Sequence, residues 1–159
     1  MTKKLSYFGI FLILLGIFGY SYTYSIDHRS APSLSSYCTI DFQSSFDSKG
    51  RLEGATLTLV DYRYSDTRLK PRVTITADND AWEIDAVTKQ TPPDYSLANL
   101  QSNTALKNTN KLFLDLPPQL LPEIRQAAEV RVRFSYDNGT VIDLPLNEPD
   151  LAYWKAQLK

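Results

Sequence analysis

Cysteine and histidine occur once each in this chain of 159 residues, as Cys38 and His28, and the six glycines are scattered singly. One cysteine forms no internal disulfide, so the fold must be stable through its core alone. The same scarcity excludes the Cys/His ligand sets of structural zinc. It also leaves no Cys/His or Ser/His/Asp pairing for nucleophilic catalysis, which needs a nucleophile positioned beside a base. No glycine-rich loop is present to cradle a phosphate, and no run of Lys or Arg marks a basic face for nucleic acid. Arg68, Lys70 and Arg72 alternate, which on a strand is one solvated edge. Cys38 falls in an alternating stretch with Ile40 and Phe42 and reads as a buried small hydrophobe. The preceding Ser35-Ser36-Tyr37 does not resemble a lipoprotein cleavage box.

Charge is also missing from Leu5 to Ile26, a stretch of 22 residues whose densest part, Phe8 to Phe18, is almost wholly Ile, Leu and Phe. About 20 helical residues cross a hydrocarbon core of roughly 30 Å, so residues 5–26 are long enough to span a membrane. Tyr20, Tyr22 and Tyr24 collect at the far end, where an aromatic ring with a hydroxyl suits the headgroup boundary. Two of the 17 basic residues, Lys3 and Lys4, precede the segment and no acidic residue does, which leaves the rest of the chain 15 basic against 18 acidic residues. The positive-inside bias therefore puts residues 1–4 in the cytoplasm and the rest of the chain outside it. The rival is a cleaved signal peptide and a secreted domain. Thr23 and Ser25 make a poor cleavage pair between bulky tyrosines, which favours an uncleaved signal anchor.

Residues 27–36 are polar, contain Pro32 and His28, and read as a juxtamembrane linker. From residue 37 to 159 the pattern is mainly β. Cys38, Ile40 and Phe42 alternate, and Asp47-Ser48-Lys49-Gly50 forms a turn with Gly50 suited to positive φ. Leu52 to Tyr64 is a long strand whose apolar phase runs through Leu57 and Leu59, then Val60, Tyr62 and Tyr64; the slip at Leu59–Val60 predicts a bulge or a change of sheet. Val73, Ile75 and Ala77 pair with Trp82, Ile84 and Ala86 as a hairpin through Asp78-Asn79-Asp80. The signal fades from Thr88 to Asn110, which predicts a long connection with a helical turn around Leu97 to Leu100. Leu112, Leu114 and Leu116 form a strand, and Leu120 to Ala128 has helical spacing. Val130, Val132, Phe134 and Tyr136 make the clearest strand, turned back by a two-residue Asn138-Gly139 loop into Thr140 to Leu146. Leu151, Trp154 and Leu158 share one face of a closing helix.

About seven strands with frequent turns predict a β-sandwich of immunoglobulin-like architecture with one or two short helices, the alternative being an α+β sheet. Asp78-Asn79-Asp80 with Glu83 and Asp85 has a calcium loop's oxygen ligands but lacks the glycine and distal glutamate of an EF-hand. An Asx-capped hairpin turn explains the same letters. Glu83 and Asp85 lie two apart on one strand, whereas paired catalytic acids flank a cleft from different elements. No cofactor or metal is therefore expected, and no catalytic residue. Ten tyrosines are the remaining excess. Tyr62, Tyr64 and Tyr136 are the candidate partner surface, because tyrosine is enriched at binding hot spots. The sequence thus predicts a non-enzymatic, single-pass membrane protein whose extracytoplasmic domain binds another envelope or membrane protein. The alternative function is a ligand- or glycan-binding module using exposed aromatics.

Overall fold

A computed structural model describes residues 13–14, 31–95 and 104–159. Of the apolar segment 5–26, Ile13 and Leu14 alone are among them; they are helical and exposed. The expected spanning helix, His28 and the helical turn expected around Leu97 to Leu100 otherwise lie outside the described residues. Among the described residues no helix is long and apolar enough to cross a membrane. Met1–Ser30 and Ala31–Lys159 are separate compact units, and every strand among the described residues belongs to the second.

Alternating apolar residues build the second unit as two antiparallel sheets. The strands are β1 (Thr39–Phe46), β2 (Leu52–Arg63), β3 (Leu69–Ala77), β4 (Asp80–Asp85), β5 (Val87–Thr91), β6 (Asn108–Leu116), β7 (Val130–Tyr136) and β8 (Val141–Pro145). One sheet has the order β1-β2-β6-β5 and the other β4-β3-β7-β8. Among the described residues three short helices accompany them: α1 (Leu34–Tyr37), α2 (Leu120–Gln126) and α3 (Glu148–Gln157). The unit is therefore a mainly β, sandwich-like fold, and the α+β alternative does not apply. The chain changes sheet between β4 and β5, at the single residue Ala86, whose N–H donates to the Pro71 carbonyl at 3.1 Å.

Side chains from both sheets meet in one core. Phe42, Leu57, Leu59, Leu112 and Leu114 come from the first sheet, and Val73, Ile75, Val132 and Phe134 from the second. The helices seal its ends. Leu120, Leu121 and Ile124 of α2 are buried, and Trp154 of α3 stacks on Phe42 with ring centroids 4.4 Å apart and an interplanar angle of 17°. Of the segment 27–36, expected as a linker, the described residues pack against this core from Ala31 onward. Ser33, Leu34, Tyr37 and Cys38 are all buried, and Asn147 of the α3 cap donates to Ser35 Oγ. The polar letters of this stretch hide the few apolar positions by which it packs, Ala31 and Leu34.

Turn chemistry explains most of the connections. Gly50 takes φ +74° after β1, and Asp47 Oδ1 accepts from the Lys49 and Arg51 N–H groups at 2.8 and 2.9 Å. Asp78 holds φ +51° in the β3–β4 turn, where its Oδ1 accepts from the Ala128 and Glu129 N–H groups at 2.8 and 2.9 Å. The β7–β8 turn differs from the two-residue expectation. Only Gly139 has positive φ, Gly139 N–H donates to the Tyr136 carbonyl, and Tyr136 N–H donates to that of Thr140. That is a three-residue loop, a type I turn closed by a glycine bulge.

The bulge expected at Leu59–Val60 is absent. β2 pairs in continuous register with β6 from Ala55 to Arg63 and with β1 through Val60. The inward phase simply continues through Asp61 and Arg63, both buried, while Val60 and Tyr62 sit half-buried on the outer face. The register shift in this region falls in β3, between Leu69 and Val73, around Pro71, which has no N–H to give to a neighbouring strand.

Candidate functional site

Sequence reasoning grouped Tyr62, Tyr64 and Tyr136 as one surface, and the structure takes Tyr136 out of that group. Tyr62 lies on the outer face of the first sheet, opposite Thr109. Tyr64 lies just past the end of β2, with Lys107 Nζ 5.1 Å from its ring centroid. Tyr136 is fully buried and cannot belong to any exposed face. Its strand phase, shared with Val132 and Phe134, points into the sandwich.

Tyr136 instead completes a polar cluster inside the core. Arg63 Nε donates to Asp61 Oδ2 at 2.9 Å, Tyr136 donates its hydroxyl proton to the same oxygen, and Arg63 Nη2 donates to the Tyr37 hydroxyl. The guanidinium also lies over the Tyr136 ring, 4.1 Å from its centroid. Burial alone would depress the Arg63 guanidinium, but Tyr136, Tyr37 and Asp61 around it hold it above its ordinary value and fully charged. Burial, and then the Asp61 carboxylate, push the Tyr136 hydroxyl far above its ordinary value, so it stays a neutral donor. The cluster ties α1, β2 and β7 together. It is closed to solvent and presents no reactive group to a substrate.

The same end of the first sheet is polar across its whole inner face. Asp61 pairs with Asn110 and Asn110 with Gln90, so three polar side chains run in one row across β2, β6 and β5. Gln90 Nε2 donates to the carbonyls of Asp66 and Thr67 and to Asn110 Oδ1, at 3.0, 3.3 and 3.1 Å. Asn108 Nδ2 donates to the Ser65 carbonyl at 2.9 Å. Both amides thus pin the β2–β3 loop. Beside this row, where β5 faces the start of β3, lies a cavity of about 220 Å³ lined by Arg68, Leu69, Thr88, Lys89, Gln90 and Asn110. No acidic side chain lines it, and among the described residues neither Arg68 nor Lys89 makes an ion pair.

A second concavity, of about 290 Å³, lies against the first sheet's outer face, where Thr56, Thr58, Val87, Phe113 and Asp115 border it. Register sets Thr58, Phe113 and Val87 side by side across three strands, with Val87 70% and Phe113 38% exposed. Val60 and Tyr62 lie further along the same face of β2. Solvent-facing positions of an antiparallel sheet are ordinarily polar, so two adjacent large apolar side chains are a local exception.

The second sheet's surface is charged and self-paired. Arg131 and Arg133 hold Asp143, and Arg72 reaches Glu83 and Asp85 at 3.5 and 3.7 Å. Burial raises the Asp143 carboxyl, but the hydrogen bond from Arg133 and the two guanidinium charges outweigh it and hold the group below its ordinary value. Glu83 and Asp85 are therefore partners of Arg72 on an exposed strand, and Asp78 is occupied by backbone N–H groups. Among the described residues no group of three or more His, Cys, Asp or Glu side chains is placed to hold a metal ion. No protein-family model, no curated protein and no solved structure matches this chain.

Proposed function

We propose that this chain is a membrane-tethered binding module whose first sheet docks another envelope or membrane protein with its outer face. The observation that carries this reading is the adjacent, exposed Val87–Phe113 pair bordering a groove floored by threonines. Apolar and aromatic side chains set in a concave patch are the usual anchors of a protein interface. Tyr62 extends that face, whereas the buried Tyr136 does not. The uncharged run Leu5–Ile26, preceded by Lys3 and Lys4, supports an uncleaved signal anchor with residues 1–4 cytoplasmic and the domain extracytoplasmic. The strand order supports an immunoglobulin-like sandwich. Its first, second, sixth and fifth strands form one sheet as the constant-type set does, and β4 extends the other sheet by one edge strand.

Site-specific photo-crosslinking in intact membranes tests the docking face. A photoreactive residue at position 113 is expected to give one discrete adduct with a membrane or envelope protein, and Val87→Asp is expected to abolish it. A probe at Glu83, on the other sheet, is expected to give none. Equal adducts from both faces, or none from position 113, would overturn the reading.

A further inference from the structure

We infer that β1 is an interaction edge whose partner is β1 of a second copy of this chain, paired antiparallel about Gln43 so that the two first sheets become one. The inference does not depend on the docking face, since Val87 lies at the opposite edge of that sheet. Four strands end the two sheets: β1 and β5 in one, β4 and β8 in the other. Short length, charge and proline are the ordinary guards of an edge against strand addition. Three of the four edges have them. β4 has six residues and three of them, Asp80, Glu83 and Asp85, are acidic. β5 has five residues with Lys89 in the middle, and β8 has five that include Asp143 and Pro145. β1 differs. It runs for eight residues, Thr39 to Phe46, without lysine, arginine, proline or glycine. Its one charge, Asp41, accepts from Gln43 Nε2 at 2.8 Å. Every second residue of an edge strand turns its N–H and C=O away from the sheet, and among the described residues β2 is the only strand paired with β1.

The letters of β1 select the occupant and the register. Opposed residues of an antiparallel pair point to one face, so a two-fold axis through a residue keeps the inward phases of both copies on the same side. The middle of the strand offers Phe42 or Gln43 as that residue. Pairing about Phe42 brings the two Asp41 side chains to about 8 Å, by strand rise and spacing. Pairing about Gln43 holds them about 14 Å apart, beyond the roughly 8–10 Å over which exposed charges interact. Asp41 then faces Ser45 of the other copy. The same register meets an apolar need on the inward phase. Phe46 is 45% exposed at the end of β1, and Ile40 is only half-buried at the edge of the core. Pairing about Gln43 sets Phe46 of each copy against Ile40 of the other, and the contact occurs twice by symmetry. A strand of unrelated sequence has no such built-in match.

Thiol cross-linking of the full-length chain, purified in detergent micelles, tests the pairing. The reagent is a bis-methanethiosulfonate short enough to match the roughly 5 Å between opposed Cβ atoms. Positions 41, 43 and 45 are exposed, so cysteine at each leaves the core intact. Gln43→Cys is expected to link to itself. Asp41→Cys and Ser45→Cys are each expected to stay unlinked alone, about 14 Å from their own counterpart, and to link to one another when mixed. The parent chain, whose Cys38 is buried, serves as the blank. Phe46→Ala removes both cross-strand apolar contacts and is expected to weaken dimerisation, read by sedimentation equilibrium, about two- to thirtyfold. No link at position 43 in the purified chain would overturn the second copy as occupant and leave the edge to a strand of another protein. Self-linking of Asp41→Cys as efficient as that of Gln43→Cys would overturn the register, and with it the proposal, as would unchanged dimerisation in Phe46→Ala.

Discussion

Arg63 carries its charge inside the sandwich, and its worth is best judged from what each partner would be left with in its absence. Asp61 would keep the Tyr136 hydroxyl but lose the guanidinium charge, with its carboxylate still shut away from water. Breaking one side of a buried ion pair costs about 3–5 kcal/mol, whereas replacing both sides with apolar groups is often neutral. Arg63→Met is therefore expected to lower the urea-unfolding free energy by about 3–5 kcal/mol, and adding Asp61→Leu is expected to restore most of the loss. Additive losses in that double variant would show that the pair is not a coupled unit. Tyr136 makes a second prediction from the same cluster. Its hydroxyl is held above the ordinary value of 10.0 in the folded state, while in the unfolded chain it ionises near that value. The unfolded state thus loses a proton that the native state keeps, so this contribution is complete below about pH 10 and is lost as pH rises further. The expected slope is about 1.4 kcal/mol per pH unit. Stability measured above about pH 10 should fall less steeply in Tyr136→Phe than in the parent.

At the scale of elements, α1 and α3 illustrate how short helices hold on a β core. α1 has four residues, too few to persist alone. It is kept by burial of Leu34 and Tyr37 and by the link from Asn147 to Ser35. That same asparagine caps α3, its Oδ1 accepting from the Asp150 N–H at 2.9 Å. An ordinary cap is worth about 1 kcal/mol, and here one side chain serves two elements. Asn147→Ala is expected to cost about 1 kcal/mol or slightly more. It is also expected to speed amide hydrogen exchange at Tyr37 and Cys38, whose N–H groups bond to the Ser33 and Leu34 carbonyls. Unchanged exchange there would mean that α1 holds without the asparagine. β5 shows the opposite case to a patterned strand. Val87, Thr88, Lys89 and Thr91 are all exposed, so no apolar alternation announces it, and it forms because β6 offers a free edge.

For the molecule as a whole, the strands with an apolar inward phase were legible from residues alone. β1, the β3–β4 hairpin, β7 and the α3 face followed from Phe42, Val73, Ile84, Val132 and Trp154 standing where periodicity put them. What escaped was the polar end of the sandwich. Asp61 and Arg63 occupy inward positions, so the alternation of β2 read as a slip. Asn108 and Asn110 do the same in β6, so the apolar pattern of that strand starts only at Leu112. A binary pattern cannot distinguish a polar side chain that faces water from one that faces a partner across the core. The proposed docking face was legible only in part, because Tyr62 was visible as an excess aromatic whereas Val87 lay in a stretch without pattern. The crossing at Ala86 carries one more implication. Because β4 and β5 are a single run of chain divided between the sheets, a force applied to one sheet reaches the other through covalent bonds as well as through side-chain packing. Tension across the sandwich would therefore be resisted on that side by the backbone itself, and separation would start at the opposite margin, where β1 and β8 are joined by no such crossing.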